Sequence, residues 1–216
     1  CLLASIDDAT WFINQMIFSD SESLSAIIEF WSTYFSQFWK PQAIYLDCHS
    51  TYKTNHPNDQ FDNDTKHRFQ RAMESLWITI IYSKQPQGKW RIERSFKTHQ
   101  DRLVKELRLA KIKDYKSAQQ FIINYYLPKH NKKFSKPPIK KWNFHIPISH
   151  NDLNNIEWFF AKREQRTIKH DWTISYNNRI IQLNKNQILV SKKITVEESF
   201  FWNIRLFSWD ILLSYI

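Results

Sequence analysis

Glycine is nearly absent from this chain, which has one, Gly88, among 216 residues. Average usage of about 7% would give roughly fifteen, so turns with a left-handed backbone have to be made by other residues. Cysteine is almost as scarce, and Cys1 and Cys48 alone exclude a disulfide framework and a cysteine-based zinc site. No run of about 18 apolar residues exists to span a bilayer, and the first residues lack the pattern of a signal peptide. We therefore expect a cytoplasmic protein with no membrane partner.

Acidic residues are outnumbered by basic ones, and the excess is concentrated in one stretch. The chain has 31 Lys and Arg against 21 Asp and Glu, a net charge of +10. Residues 84–141 hold seventeen Lys and Arg and four acids, a local net charge of +13, which leaves −3 for the rest. A cationic stretch of this density favours a polyanionic partner such as nucleic acid. Its ordinary structural alternative is a solvated helix face followed by a linker.

The first part of the chain alternates between strand patterns and helix patterns, which is typical of an α/β fold. Two β-compatible runs flank a polar turn that contains Asp7 and Asp8, and together they predict a hairpin. Apolar residues at helical spacing then predict a helix that begins after Ser23 and ends before Pro41. Further along, the pattern predicts short strands at 43–46 and 78–82 and helices at about 64–76, 92–110 and 115–126.

The second part begins with a connector rich in lysine and proline, from Pro128 to Pro147, which predicts a linker. Asn177-Asn178 is predicted as a two-residue hairpin turn. Short strands at this spacing indicate a small barrel, and they are predicted at 173–176, 180–183, 188–190 and 194–196. We therefore divide the chain into three parts, namely a core over 1–127, a basic linker over 128–150 and a small all-β module over 151–216.

Two carboxylates stand where an α/β sheet positions its ligands. Asp47 follows a short apolar strand, and the C-terminal ends of strands form the ligand-binding edge of an open α/β sheet. Glu93 lies in the first turn of the helix after the next strand. Converging carboxylates suit Mg²⁺, which also binds phosphate oxygens; the structural alternative is a turn residue and a helix-dipole partner. The basic residues around Glu93 are suited to the DNA backbone, and they are Lys89, Arg91, Arg94 and Lys97.

Several runs of this sequence recur in the same order in one known family. They are Ile6–Thr10 (IDDAT), Ile44–Ser50 (IYLDCHS), Pro86–Arg94 (PQGKWRIER), Thr98–Arg108 (THQDRLVKELR) and Asp171–Leu183. Together these runs resemble the integrase core and the C-terminal β module of ISNCY-type insertion-sequence transposases. That family is part of the DDE superfamily, which also includes the retroviral integrases.

The resemblance implies an RNase-H-like (retroviral integrase-like) core in which Asp, Asp and Glu hold two Mg²⁺ or Mn²⁺ ions. In the reaction that the resemblance implies, water and then a freed 3′-hydroxyl attack phosphodiesters of DNA by in-line displacement. Asp47 matches the second acid of the family and Glu93 the last. The first acid lies on a strand that would precede Cys1, so we expect a core lacking its first strand. Asp7 and Asp8 match the hairpin after that strand, and we expect neither to bind metal.

The resemblance also implies DNA as the partner, a homo-oligomer when the protein is intact, and a bacterial, nucleoid-associated location. Because the first acid and the family's N-terminal DNA-binding helices have no match, we expect a transposase fragment. It would bind DNA through residues 84–141 and perform little or no strand transfer by itself. The alternative is a non-catalytic nucleic-acid-binding remnant of a decayed mobile element.

Ten tryptophans form the opposite anomaly to the missing glycine. A bulky residue in a glycine-type conformation costs on the order of 1 kcal/mol or more. We hypothesise that some of these positions are TGA codons, one base from the glycine codon GGA, read as tryptophan. TGG codons at the locus would contradict this. Six of the ten fall where the resembled family usually has glycine, namely Trp11, Trp39, Trp77, Trp90, Trp202 and Trp209.

Overall fold

A computed structural model describes residues 1–21, 23–47, 60–83 and 90–216, and for residues 47, 60–67, 83 and 90–92 the description is limited to the backbone. The first part contains β1 (Leu2–Ile6), β2 (Ile13–Phe18), α1 (Leu24–Phe38), β3 (Ala43–Asp47), α2 (Gln60–Ser75), β4 (Thr79–Ser83), α3 (Trp90–Leu109), α4 (Tyr115–Phe121), a π-helical segment (Ile122–Tyr126) and α5 (Leu127–Phe134). The second contains α6 (His150–Asn154), α7 (Ile156–Phe159), β5 (Lys162–Thr167), β6 (Thr173–Tyr176), β7 (Arg179–Gln182), β8 (Lys193–Glu198), β9 (Ile204–Ser208) and β10 (Ile211–Leu213). This mixture confirms the predicted α/β class. Within these ranges no helix is both long and apolar enough to cross a membrane.

The chain opens with the predicted hairpin. Strands β1 and β2 pair antiparallel, from Leu2 opposite Phe18 to Ile6 opposite Ile13. At the turn, the Asp7 carboxylate accepts hydrogen bonds from the backbone N–H of Thr10, at 3.0 Å, and from its hydroxyl. Asp7 therefore closes a turn, which agrees with its expected role as a hairpin residue.

Helix α1 carries the first hydrophobic core. It begins after Ser23, whose hydroxyl accepts a hydrogen bond from the Ala26 N–H at 3.4 Å, as expected of an N-cap. The buried apolar face of α1 packs with residues of β3, α2 and β4 and with Phe160 of the second part. Both Leu3 of β1 and Leu46 of β3 contact this cluster. The hairpin and the β3–β4 pair are thus held by one core.

Helix α4, the π-helical segment and α5 form one continuous helical run, so the helix predicted to end near residue 126 extends to Phe134. The Leu127 N–H donates to the Ile122 carbonyl, five residues earlier. This wide turn precedes Pro128, which has no N–H to donate, and the helix continues through it. The first residues of the predicted linker are therefore helical, and His130 and Asn131 are buried.

The second part is built on antiparallel strands. Strands β5, β8, β9 and β10 form one sheet in the order β10-β9-β8-β5, and β6 and β7 form a separate hairpin. The Asn177-Asn178 turn is confirmed, with φ of 46° and 59°. The strand predicted at 188–190 is wrong, since this segment is irregular and Ile188 is exposed. Strands β5, β9 and β10 were not predicted. Strand β5 consists of polar residues only, so it has no apolar alternation.

Six tryptophans have the left-handed backbone conformation that favours glycine. Their φ angles lie between 56° and 66°, a region where a bulky side chain is a steric outlier. Five were predicted from the sequence; Trp90 is instead the first residue of α3, and Trp172 was not predicted. The six are Trp11, Trp39, Trp77, Trp172, Trp202 and Trp209.

Candidate functional site

The parallel strands β3 and β4 define the edge at which Asp47 stands. Their pairing runs from Ala43 opposite Thr79 to Asp47 opposite Ser83, so both strands end at the same edge. Ile44 of β3 is buried in the first core, which anchors this strand. The backbone of Asp47 therefore lies at the carboxyl edge of the strand pair, where open α/β sheets bind ligands.

Glu93 lies in the first turn of α3, and its side chain is exposed. The helix begins seven residues after Ser83, which pairs with Asp47. Among the side chains that the structure describes, which do not include that of Asp47, no group of three or more His, Cys, Asp or Glu is placed to hold a metal ion. A shared metal site between Asp47 and Glu93 therefore stays a prediction.

Two of the four predicted DNA-binding residues can be placed. Arg94 and Lys97 are exposed on the first turns of α3. Arg91 is described by its backbone alone, and Lys89 lies outside the described residues. The two that are placed line one cavity, which has a volume of about 750 Å³.

The walls of this cavity combine positive charge with aromatic rings. Besides Arg94 and Lys97, it is lined by Arg102 of α3 and by Lys136, just after α5. The Arg102 guanidinium carbon lies 5.2 Å from the centre of the Phe134 ring, a cation–π distance. Among the described residues, the one carboxylate on its wall is that of Asp101, which is paired with Lys105. The cavity is therefore strongly cationic.

A buried polar chain lies beneath this cavity. The Ser95 hydroxyl is 2.9 Å from His99 Nε2, and the Tyr126 hydroxyl is 2.8 Å from His99 Nδ1. The ring of His130 lies 4.6 Å from that of His99, and it continues the stack to Phe134 at 4.7 Å. These contacts fix α3 against the π-helical segment and α5.

Burial keeps His99 and His130 neutral. It lowers the pKa of His99 to about 4, and the neighbouring His130 adds to the effect. Burial also lowers the pKa of His130 to about 4, with a further contribution from the Arg102 charge. The pKa of Tyr126 is raised to about 12, first by burial and then by the charge of Glu106. At neutral pH His99, Tyr126 and His130 are therefore uncharged, and the positive charge of the cavity comes from its arginines and lysines.

The sequence analysis did not identify His99, Tyr126 and His130 as site residues. The only local signals are two pairs at helical i,i+4 spacing, Ser95 with His99 and Tyr126 with His130, whose members share a helix face. Nothing in those pairs shows that the two faces meet. The contact depends on the helical run extending past Pro128, which the sequence pattern did not predict.

The chain is 31% identical over 187 residues to a protein named "Putative transposase y4bF" from Sinorhizobium fredii (strain NBRC 101917 / NGR234). The chain is related to a transposase. The resemblance stated from the sequence is thereby confirmed. The match covers 87% of this chain and 40% of the relative, so the chain spans less than half the length of that transposase.

No family model matches this chain. Among solved structures, the chain is similar to one from a simian T-cell lymphotropic virus intasome in complex with PP2A regulatory subunit B56 gamma. The sequence identity is 14% and the TM-score 0.45, over 100% of this chain and 72% of that one. A TM-score below 0.5 does not establish that the two chains share a fold. The RNase-H-like core and the barrel therefore stay predictions.

Proposed function

We propose that this chain is part of a DDE transposase: it binds DNA, and in the whole protein it contributes Asp47 and Glu93 to metal-dependent cleavage and joining of DNA strands. The observation that carries the proposal is its 31% identity to a transposase over 187 residues. The register of β3 and β4 supports it, since Asp47 ends one strand beside Ser83 and the chain enters α3 seven residues later.

The sheet arrangement is consistent with an RNase-H-like core that lacks one strand. The described strands of the first part form two separate pairs, antiparallel β1–β2 and parallel β3–β4. Leu3 and Ile17 of the hairpin and Leu46 and Ile80 of the parallel pair contact the same core around α1. One further strand between the two pairs would join them into a single mixed sheet.

The donor chemistry at this edge fits a hard divalent cation. Asp47 and Glu93 offer carboxylate oxygens, the ligands that Mg²⁺ and Mn²⁺ prefer. When bound, a pair of such ions stabilises the attacking and leaving oxygens of a phosphodiester. Arg94 and Lys97 lie on the same end of α3 as Glu93, where they would hold the DNA backbone by charge. Transposon ends and target DNA are the expected substrates, with a homo-oligomer as the active form.

A metal-binding measurement and a strand-transfer assay test the proposal separately. In the first, Mn²⁺ binding to this chain is measured by electron paramagnetic resonance. We expect Asp47→Asn and Glu93→Gln each to weaken it by about 10-fold or more, the cost of disturbing a metal ligand. Asp8→Asn is the matched control, and we expect no change from it. Equal binding by all variants would contradict the assignment of Asp47 and Glu93.

In the second assay, the chain is incubated with Mg²⁺, a supercoiled plasmid and a labelled transposon end. We expect DNA binding but little or no strand transfer, because two of the family's three acids have a match here. Robust strand transfer would show that the first acid is dispensable or replaced. Failure to bind any DNA would overturn the DNA-binding part of the proposal. DNA binding without metal binding would favour the non-catalytic remnant.

A further inference from the structure

We propose that the cavity between α3 and the end of α5 binds an unpaired nucleotide of a DNA strand, with the phosphate on its cations and the base on its aromatic wall. The inference rests on the proposed DNA-binding function and adds the part of the substrate that this cavity takes. It does not depend on Asp47 or on metal.

The size and the charge of the cavity fit a nucleotide. Its volume of about 750 Å³ lies within the range of small-molecule sites, roughly 300–1,000 Å³. Four cations of the described part of the chain line it, namely Arg94, Lys97, Arg102 and Lys136. None of the carboxylates whose side chains the structure describes is ion-paired with any of these four. Such a set of cations attracts a phosphate.

The aromatic wall provides the second element of recognition. Phe134 lines the cavity, and its ring is backed by His130 at 4.7 Å between ring centres. Arg102 lies 5.2 Å from the same ring. Aromatic rings beside cations are the common means of binding single-stranded nucleic acid, because every base can stack. Since bases in a duplex are already stacked, this wall favours an unpaired nucleotide.

Fluorescence anisotropy with a labelled oligo(dT) strand and a duplex of equal length tests this inference. Base stacking is worth about 1–3 kcal/mol, so we expect Phe134→Leu to weaken single-strand binding by about 5-fold or more and duplex binding by less than 2-fold. Arg102→Ala should weaken single-strand binding by about 10-fold. The control is Arg108→Ala, which removes an exposed arginine of the same helix outside the cavity.

Thermal unfolding of each variant separates loss of binding from loss of the fold. Unchanged single-strand affinity in folded Phe134→Leu and Arg102→Ala overturns the inference. Equal losses for single strand and duplex in Phe134→Leu also overturn it, because they indicate a site that does not read unpaired bases. If duplex binding depends on Arg94 and Lys97 while Phe134→Leu and Arg102→Ala behave like the parent, only this inference fails and the proposed function stands.

A different observation supports a second inference. We infer that the working protein carries glycine at the six tryptophans with left-handed backbone, because the host decodes their codon as glycine. Six of ten tryptophans adopt φ of 56–66° in a chain with one glycine. Trp77 lies just after the end of α2. Its N–H donates to the Glu74 carbonyl, and the Ile78 N–H donates to the Met73 carbonyl. This is the helix end at which glycine is the usual residue.

The side chains of three of these six tryptophans are largely exposed and do not pack against a core. Trp77, Trp202 and Trp209 are 72–85% exposed. Two tryptophans with helical backbone behave differently, since Trp31 is buried in the first core and Trp158 lies 3.8 Å beneath the Arg205 guanidinium. At these three positions, a backbone conformation that favours glycine and a highly exposed ring occur together.

Sequencing of the locus and mass spectrometry of the protein from its own host test this second inference. We expect TGA codons at the six positions, TGG at Trp31 and Trp158, and peptides with the residue mass of glycine at the six. TGG codons at the six, or tryptophan in the host peptides, would overturn it.

A recombinant comparison gives an independent measurement. Each Trp→Gly change at an exposed left-handed position, such as Trp77, relieves the strain of a bulky residue at positive φ and should raise Tm by about 2–4 °C or more. Trp31→Gly is the matched control and should lower Tm, because it empties the core. Equal destabilisation at both kinds of position would overturn the inference. Glycine at position 11 is compatible with the cavity, since it removes the ring 3.9 Å from Lys136 and leaves that cation to the ligand.

Discussion

Two regions of the molecule are rich in cations but use them differently. On strand β5 of the C-terminal sheet, the three cations are matched by acids: Arg163 pairs with Glu197 at 2.7 Å, and Lys162 and Arg166 both pair with Glu164. Around the cavity, by contrast, the described carboxylates leave Arg94, Lys97, Arg102 and Lys136 without an ion pair. The same residue types are thus neutralised by acids in one region and left unbalanced in the other.

The difference shows how a basic sequence should be interpreted. A cation whose charge is balanced by a neighbouring carboxylate attracts a polyanion weakly, whereas unbalanced cations on one wall act together. The net charge of +13 over residues 84–141 therefore indicates function only where the fold leaves it unbalanced. Predictions about the two regions should separate DNA binding from stability.

The largest effect is expected on DNA affinity from the double variant Arg94→Gln/Lys97→Gln. Each lost phosphate contact lowers the salt slope of binding by about 1, so the slope should fall by about 2 and the affinity by about 100-fold at low salt. Anisotropy titrations at several salt concentrations measure both. An unchanged salt slope would break the comparison, because these cations would then not contact phosphate.

The next effect concerns pH and the buried histidines beneath the cavity. His99 and His130 have pKa values of about 4 in the folded protein, against about 6.5 in an unfolded chain. The unfolded chain therefore binds up to about two more protons between pH 6.5 and 4, and stability must fall as the pH is lowered through that window. Their neighbours are Ser95, Phe96, Tyr126 and Phe134, and the charge of Arg102 opposes protonation of His130.

Thermal unfolding between pH 7.5 and 4.5 measures this dependence. The double variant His99→Gln/His130→Gln should be less stable at pH 7.5 and should lose less Tm on acidification than the parent. Parallel Tm curves for parent and variant would show that these histidines do not cause the acid sensitivity.

A smaller effect is expected from Arg163→Met on the C-terminal sheet. This change leaves Glu197, which is buried, without its partner, so the free energy of unfolding should fall by about 1–3 kcal/mol. DNA affinity should stay within about 2-fold of the parent. Urea unfolding and anisotropy check the two values. A large loss of DNA affinity in the folded variant would show that the sheet also binds DNA.

The smallest effect is expected from Lys105→Ala, which removes the exposed pair with Asp101. Helical i,i+4 pairs contribute about 0.3–0.5 kcal/mol, so stability should hardly change. The Asp101 carboxylate would then add an unbalanced negative charge to the cavity wall. A reduction of single-strand affinity by about 2-fold, measured by anisotropy, would sharpen the comparison; an increase would oppose it.

The sequence predicted the parts of the fold that have strong local patterns. Helix α1, both hairpins and the strands β3 and β4 were predicted because apolar periodicity and turn residues such as Asn177-Asn178 act locally. Strand β5 was missed because its alternation is between paired charges and exposed polar residues. The segment at 188–190 has a strand-like composition, yet Ile188 and Val190 are exposed, and composition alone cannot supply a pairing partner.

The candidate site was predictable to a similar extent. The position of Asp47 at a strand end and of Glu93 in the first turn of a helix followed from the sequence. The cavity did not, because it needs α3 and α5 to meet: His99 and Tyr126 are 27 residues apart and join through one hydrogen bond. Contacts at this separation depend on tertiary packing, and no local pattern specifies them.

The π-helical segment Ile122–Tyr126 has a consequence for the direction in which the following turns face. The extra residue in its wide turn offsets every later side chain by about 100° relative to an uninterrupted α-helix. Asn131 consequently meets β2, where its side chain accepts from the Ile13 N–H at 2.9 Å and donates to the Ile13 carbonyl at 3.0 Å. One amide thus substitutes for a neighbouring strand, and a single-residue deletion in the segment would rotate this amide away from Ile13 and leave the contacts of Gln119 with Met16 and Phe18 to hold the hairpin.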